Sequence, residues 1–238
     1  MTSPKVSVII PSFNRFDYLL NALNSVYDQT YTNYEIIVLN DGSDQIEYKN
    51  FIFPKKVNIV HINRNDTPDW GGSRQPLRNL GSKYATGEFL AFLDDDDYWL
   101  PTKLEIQIEE MLFKNFLFSS TEGFFGKGPY DKNQVYQLYN SERFQKTLKK
   151  KYRGTKYLKK GKFPEIWSYD FLSVHNCTIL SSVIVQKSLY ERIGGMRGLP
   201  KAADYDCWLS ILKLTDMLYI NKPLCYYDSN HGDGKLYN

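Results

Sequence analysis

Cysteine and histidine are scarce in this sequence of 238 residues, with three of each. Cys177, Cys207 and Cys225 are odd in number and share no CxxC spacing, which disfavours a disulfide framework and a zinc site and fits a reducing compartment. Long apolar runs are missing as well. None reaches the roughly 18 residues of a spanning helix, and the opening MTSPKVSVIIPSF leads straight into a strand-like segment. The expectation is therefore of neither signal peptide nor anchor, and of a cytoplasmic location. Excess charge is also lacking. With 30 Lys and Arg against 27 Asp and Glu the net charge is +3, too small for a dedicated nucleic-acid binder. Nothing points to disorder or a fibrous repeat, since 42% hydrophobic and 24% charged residues are ordinary globular usage.

What is present is an alternation of short strands and helices. Val6 to Ile10 is a β-branched run stopped by Pro11, and Leu20, Leu23, Val26 and Tyr27 follow at helical spacing. Tyr34 to Leu39, Val57 to Ile62 and Phe89 to Leu93 read as further strands. Their apolar character without strict alternation suits parallel strands covered on both faces. Helices are predicted over Gln75 to Tyr84 and after Pro101, where Leu104, Ile108, Met111 and Leu112 line one face. The middle, Gly123 to Gly161, is poorly periodic and reads as loops and short helices. Thr178 to Val185 reads as a strand, followed by a short helix ending at Gly194 and Gly195. Tyr205 to Leu214 then reads as a helix and Met217 to Ile220 as a late strand. The order implies an α/β fold with an open, mostly parallel sheet.

Three polar clusters follow apolar strands directly: Pro11, Ser12, Phe13, Asn14 and Arg15; Asn40 to Ser43; and Asp94 to Asp97. In open α/β sheets the ligand crevice lies outside the carboxyl ends of the strands, so the three should converge. Adjacent carboxylates repel by roughly 1 to 4 kcal/mol per close pair, so Asp94, Asp95, Asp96 and Asp97 need positive charge nearby. A hard divalent cation shared with a nucleotide diphosphate supplies it; a solvated acidic loop is the plainer alternative. Asp41 is placed to accept from a base or ribose, or is simply a turn aspartate before glycine. Arg74 and Arg78 flank a helix start, where guanidinium groups meet phosphate or base oxygens, unless they are ordinary surface arginines.

The succession VSVIIPSFNR, YEIIVLNDGS, LRNLGSKYATGEFLAFLDDDD, LPTKLE, IGG and ADYDCWL resembles that of the family 2 glycosyltransferases, from Val6 to about His231. The resemblance implies a GT-A fold, with a Rossmann-like, mostly parallel central sheet flanked by helices and a smaller acceptor-side half. Residues 1–238 would form one glycosyltransferase domain, 1–100 binding the donor and 101–238 the acceptor. It implies inverting transfer from a nucleotide-diphosphate sugar, most often a UDP-sugar, to a hydroxyl of a glycan or glycolipid, with Mn2+ or Mg2+ as cofactor. Ser12 and Asp41 would hold the nucleobase, assisted by Arg74 or Arg78, with Pro11, Asn14 and Arg15 on the same donor side. Asp94 and Asp96 are the acids of the DxD signature and Asp95 stands at its variable position, all three with the donor-binding residues, and Asp96, Asp97 and His231 are the metal-side residues. Asp204 matches the catalytic base, and Ala203 replaces the glutamate that usually precedes it. Trp70, Trp167, Tyr169 and His175 are candidates for lining the acceptor cleft, each with core packing as its plainer reading. Asp206 is an acceptor-side candidate or a helix cap.

One segment stands outside this scheme. Lys146 to Lys162 is basic and interleaved with tyrosine. A solvated loop is the first reading, attraction to an anionic membrane face or lipid diphosphate the second, and nucleic acid the last. A sugar nucleotidyltransferase would open with a glycine-rich loop after the first strand, which PSFNR is not. A silent sugar- or nucleotide-binding module is the other alternative, prompted by Ala203.

Overall fold

The computed structural model describes residues 3–63, 75–158 and 161–231. Four strands form its N-terminal part: β1 (Val6–Ser12), β2 (Tyr34–Asn40), β3 (Val57–His61) and β4 (Phe89–Phe92). They lie parallel in the order β3-β2-β1-β4, with Ser12 level with Asn40 and Ile9 level with Phe92. Both faces are covered. Val6, Val8, Ile10, Ile36 and Val38 enter one apolar cluster, and the alternate residues Ile9, Ile37 and Leu39 enter the other. The first cluster is roofed by α1 (Phe16–Tyr27) and α4 (Lys103–Lys114), the second by α3 (Gln75–Tyr84) and α8 (Ala203–Leu212). This explains why the strands read as continuous apolar runs.

The sheet continues through β9 (Ile184–Gln186), β6 (Phe118–Gly126), β10 (Met217–Asp228) and β5 (Tyr98–Trp99), giving ten strands with β7 (Gln137–Leu138) and β8 (Ile166–Trp167) at the side. β9 runs antiparallel to both β4 and β6, while β6 and β10 are parallel. Short helices α2 (Glu47–Asn50), α5 (Gln145–Lys151), α6 (Tyr169–Leu172) and α7 (Lys187–Arg192) complete the connections. Among the described residues no helix is long and apolar enough to cross a membrane.

Several expectations are corrected. β1 does not stop at Pro11 but pairs through it to Ser12, since proline costs the ladder a single donor near the strand end. Thr178 to Val185 is not one strand: Leu180–Ser182 is a 3₁₀ turn, and only Ile184–Gln186 pairs. The hydroxyl of Ser182 bonds back to the Ile179 carbonyl at 2.7 Å, holding the turn. The middle segment opens on β6 rather than on a loop. The late strand is 12 residues long, with register shifts around Pro223.

Glu35 shows how the first strands are pinned. Its carboxylate accepts from Lys5 Nζ at 2.7 Å, Ser7 Oγ at 2.6 Å and the Thr86 amide at 2.6 Å, joining β1, β2 and the turn before β4. Burial alone would raise its pKa, but these hydrogen bonds bring it from 4.5 to about 2. A depressed carboxylate stabilises the fold above its unfolded pKa and loses that contribution as pH falls through the folded one. Glu35→Gln should therefore lower Tm near pH 7, with the gap to wild type narrowing below pH 4.5 and closing as pH falls through about 2; a gap independent of pH would refute this account.

Candidate active site

The carboxyl ends of β1, β2 and β4 bring Ser12 to Arg15, Asn40 to Ser43 and Asp94 to Asp97 to one edge of the sheet. The aspartates keep the alternation of the strand they leave. Asp95 and Asp97 are buried, whereas Asp94 and Asp96 are partly open. Arg15 reaches in from the start of α1. Its guanidinium pairs with Asp95, donates to Asp96 at 3.0 Å, and bonds the His231 carbonyl at 2.9 Å. Arg78, itself buried on α3, pairs with Asp94.

Asp97 is fixed from both sides. Ser181 Oγ donates to one oxygen, and the Asp228 amide donates to the other at 2.9 Å. Ser181 in turn accepts from the Asp94 amide at 3.0 Å, and its carbonyl takes the Trp99 indole N–H at 2.7 Å. Asp228 closes β10 by accepting from the Gly128 and Asn230 amides at 2.7 and 2.8 Å.

Burial and mutual repulsion push the Asp95, Asp96 and Asp97 carboxyls above the ordinary carboxylate range. Arg15 pulls Asp95 and Asp96 back, and the nearby His231 ring pulls on Asp96 as well. One oxygen from each of Asp94, Asp96 and Asp97 falls within a sphere of contacts no wider than 4.8 Å. Three hard oxygen donors so close together fit a hard divalent cation.

Asp204 lies in the first turn of α8, which starts at Ala203, two residues before the helix read from the sequence. Burial raises its pKa; Arg78 lowers it and Asp94 raises it, so both are close enough for their charge to be felt. Ala203 is buried, and Ala202 before it adopts a left-handed φ of 55°.

The remaining sequence candidates on this edge and beyond it have settings of their own. The hydroxyl of Ser12 is buried against the Tyr48 hydroxyl, and Asp41 is fully buried with its amide on the Ser12 carbonyl at 3.0 Å. Pro11 is a buried strand residue. Asn14, at φ 50°, accepts from the Asp44 amide at 2.8 Å and so links the first two loops. Asp95, placed with the donor residues from the sequence, turns its carboxylate inward to Arg15. Trp167 is corrected to core: it is fully buried, stacked on Tyr219 at 4.2 Å, with its N–H on the Pro164 carbonyl. Asp206 does not cap α8; it receives two hydrogen bonds from Arg197. His175 is half-buried, its pKa lowered by burial and by Lys151. Tyr169 is exposed beneath Lys213. Trp70 and Arg74 lie outside the described residues.

The residues that sequence reasoning missed are Tyr48, Ser181, Tyr227 and Asp228. Tyr227 sits beside His231, ring centroids 5.7 Å apart. Only Asp228 carried a signal, as an acid directly after an apolar run. A cavity of about 310 Å³ bounded by Lys114, Phe163 and Tyr219 shares no residue with this cluster.

Residues 7–178 match the family described as Glycosyl transferase family 2. The chain belongs to that family. Among relatives of this family 2 chain, an uncharacterized glycosyltransferase of Rickettsia bellii is 41% identical over 119 residues, 49% of this chain and 16% of its own length. An Escherichia coli protein named UDP-Glc:alpha-D-GlcNAc-diphosphoundecaprenol beta-1,3-glucosyltransferase is 37% identical over 115 residues, 48% of this chain and 43% of its own. The chain thus spans less than half the length of either. Two solved structures share its fold at TM-scores of 0.63. S. aureus TarS 1-349 in complex with UDP-GlcNAc is 18% identical, over 94% of this chain and 58% of its own. A mannosyltransferase from Pyrobaculum calidifontis in complex with GDP-Man and Mn2+ is 16% identical, over 95% and 57%. The fold is thereby that of the GT-A transferases: α/β, with a mostly parallel central sheet between helices.

Breaking a buried ion pair from one side leaves an uncompensated charge, at a cost of roughly 3 to 5 kcal/mol. Arg15→Met should therefore lower unfolding free energy in urea by roughly that amount, and a loss within experimental error would show that Arg15 does not hold the aspartates.

Proposed function

We propose that this chain is the donor- and base-bearing part of an inverting glycosyltransferase. It would move a sugar from a nucleotide diphosphate, most simply a UDP-sugar, to a hydroxyl of a glycan or glycolipid. The observation that carries the reading is the meeting of Asp94, Asp96 and Asp97 with Asp204 around Arg78 at the carboxyl edge of the sheet. UDP stands in the name of the E. coli relative and UDP-GlcNAc in the TarS complex, while the mannosyltransferase complex holds GDP-Man and Mn2+. The E. coli name also describes a lipid-diphosphate-linked acceptor, which supports the glycolipid class.

Asp204 takes the acceptor hydroxyl's proton as the hydroxyl oxygen bonds to the anomeric carbon. The bond from that carbon to the diphosphate breaks on the opposite face, and its electron pair leaves with the diphosphate. A raised pKa makes Asp204 a stronger proton acceptor than a solvated carboxylate. Arg78 links the two functions by holding Asp94 while facing Asp204. Asp94, Asp96 and Asp97, with the His231 ring beside Asp96, would hold the divalent cation. When bound, that cation supplies neutralisation of the charge growing on the departing diphosphate. The division into a donor half, residues 1–100, and an acceptor half, 101–238, is part of the same proposal. Ala203 favours one second reading, a binding module without turnover, because the carboxylate usual before the base is missing.

Asp204→Asn should lower turnover by about 100-fold or more while leaving donor affinity nearly unchanged; equal turnover would remove Asp204 as base. Asp96→Ala should instead weaken Mn2+-dependent donor binding in titration calorimetry. A thermal-shift and nucleotide-release screen of UDP-, GDP- and TDP-sugars with and without Mn2+ tests the whole reading. Metal-dependent stabilisation with slow release supports the transferase, and binding without release supports the silent module.

A further inference from the structure

Charge in this chain is segregated. Residues 144–163 contain nine of the 30 basic residues and none of the 27 acidic ones, so the remainder, with 21 basic and 27 acidic, is net negative. The structure orders most of that segment. Leu148 and Tyr152, one turn apart, are buried, and Tyr152 stacks on Phe171 at 4.9 Å and donates to its carbonyl at 3.0 Å. With those two turned inward, Lys146, Lys149, Lys150 and Arg153 recur at i, i+3, i+4 and i+7 along the outer face, all exposed. The chain then folds back. Gly161 takes φ 70° and lies so close to Lys149 that a β-carbon there would be 3.6 Å from its Cε, which brings exposed Lys162 alongside. Among the described residues none of these cations forms an ion pair with a carboxylate.

We propose that this surface docks on an anionic lipid bilayer. Three features select that partner. The described cations are all exposed and spread along an outer face, so they suit a plane of charge rather than a single bound phosphate. Eight of the nine are lysines, point charges suited to a diffuse headgroup field rather than to bidentate recognition. The aromatic rings of the segment are engaged by other rings of the protein, Tyr152 buried and Phe144, Tyr157 and Phe163 half-buried. Tyr152 and Tyr157 both pack on Phe171, which disfavours the open stacking platform that single-stranded nucleic acid uses. Docking also has a direction. Phe171 lies on α6, and the next residue, Leu172, accepts a hydrogen bond at 2.8 Å from Tyr205, the neighbour of Asp204. Resting on the proposed function in this one respect, the bilayer side is then the side from which a lipid-linked acceptor reaches the base.

The test is cosedimentation of the full chain, without donor or metal, with vesicles of phosphatidylcholine alone and with roughly a third phosphatidylglycerol. Each basic side chain near such a surface raises partitioning by roughly fivefold. Binding is expected only to the anionic vesicles, weakened at least about tenfold by high salt and by the combined variant Lys146→Glu, Lys149→Glu, Lys150→Glu and Arg153→Glu. A control reversing Lys55, Lys83, Lys132 and Lys222, with the same change in net charge, should bind as wild type. If the first variant melts early, the milder set with glutamine at the same four positions is expected to lose binding in the same direction. Absence of sedimentation, equal binding to neutral vesicles, or equal loss in the control overturns the proposal. So does salt-sensitive binding of an RNA homopolymer or of inorganic pyrophosphate with no vesicle binding. The assay reads no sugar transfer, so its failure is distinct from failure of the transferase reading.

Discussion

Four adjacent carboxylates at the end of a buried strand are the constraint around which this molecule is arranged. Left alone in a low-dielectric edge they would repel one another and protonate. The fold answers with two arginines from different elements, Arg15 on Asp95 and Asp96 and Arg78 on Asp94, and with neutral donors for Asp97 from Ser181 and the Asp228 amide. The compensation is incomplete, since three of the four keep raised pKa values. That residual deficit of positive charge leaves the cluster able to accept a further cation, as a fully compensated ion-pair network is not.

The N-terminal half was legible because its signals are hydrophobic. β-Branched runs ending in polar clusters marked β1, β2 and β4 together with the edge where they converge. β6 was not legible, for a specific reason. Its residues Ser119, Ser120, Thr121 and Glu122 are polar yet fully or almost fully buried, Ser119 satisfied by Gln107, Ser120 by Ser182, Thr121 by the Glu122 carbonyl and Glu122 by the Asn140 and Ser141 amides. A reading based on apolar periodicity assigns such a stretch to solvent. The aspartate run posed a similar problem. Four identical letters do not say which point inward, and the alternation that buries Asp95 and Asp97 appears only once the strand before them is placed.

The bulky aromatic residues divided in the same way. Trp167 had the chemistry of a sugar platform but belongs to a stack with Tyr219 in the interior. Tyr227, in an apolar run with no polar neighbour to mark it before Asp228, stands against His231. Residue type sets what a side chain can do; the strand register of β10 decided which of these two was given the opportunity.

The tie from Arg15 to the His231 carbonyl joins residues 216 apart in the chain, and the bond from Asp228 to Asp97 joins residues 131 apart. Contacts of such sequence separation carry the largest loop-closure cost and form late in folding. The aspartate cluster is therefore completed only after β10 has been synthesised and seated. During translation the N-terminal strands and helices can pack while Asp97 still lacks both its donors, Ser181 and the Asp228 amide, so the setting of this buried carboxylate is finished as the closing event of folding rather than accumulating along the way.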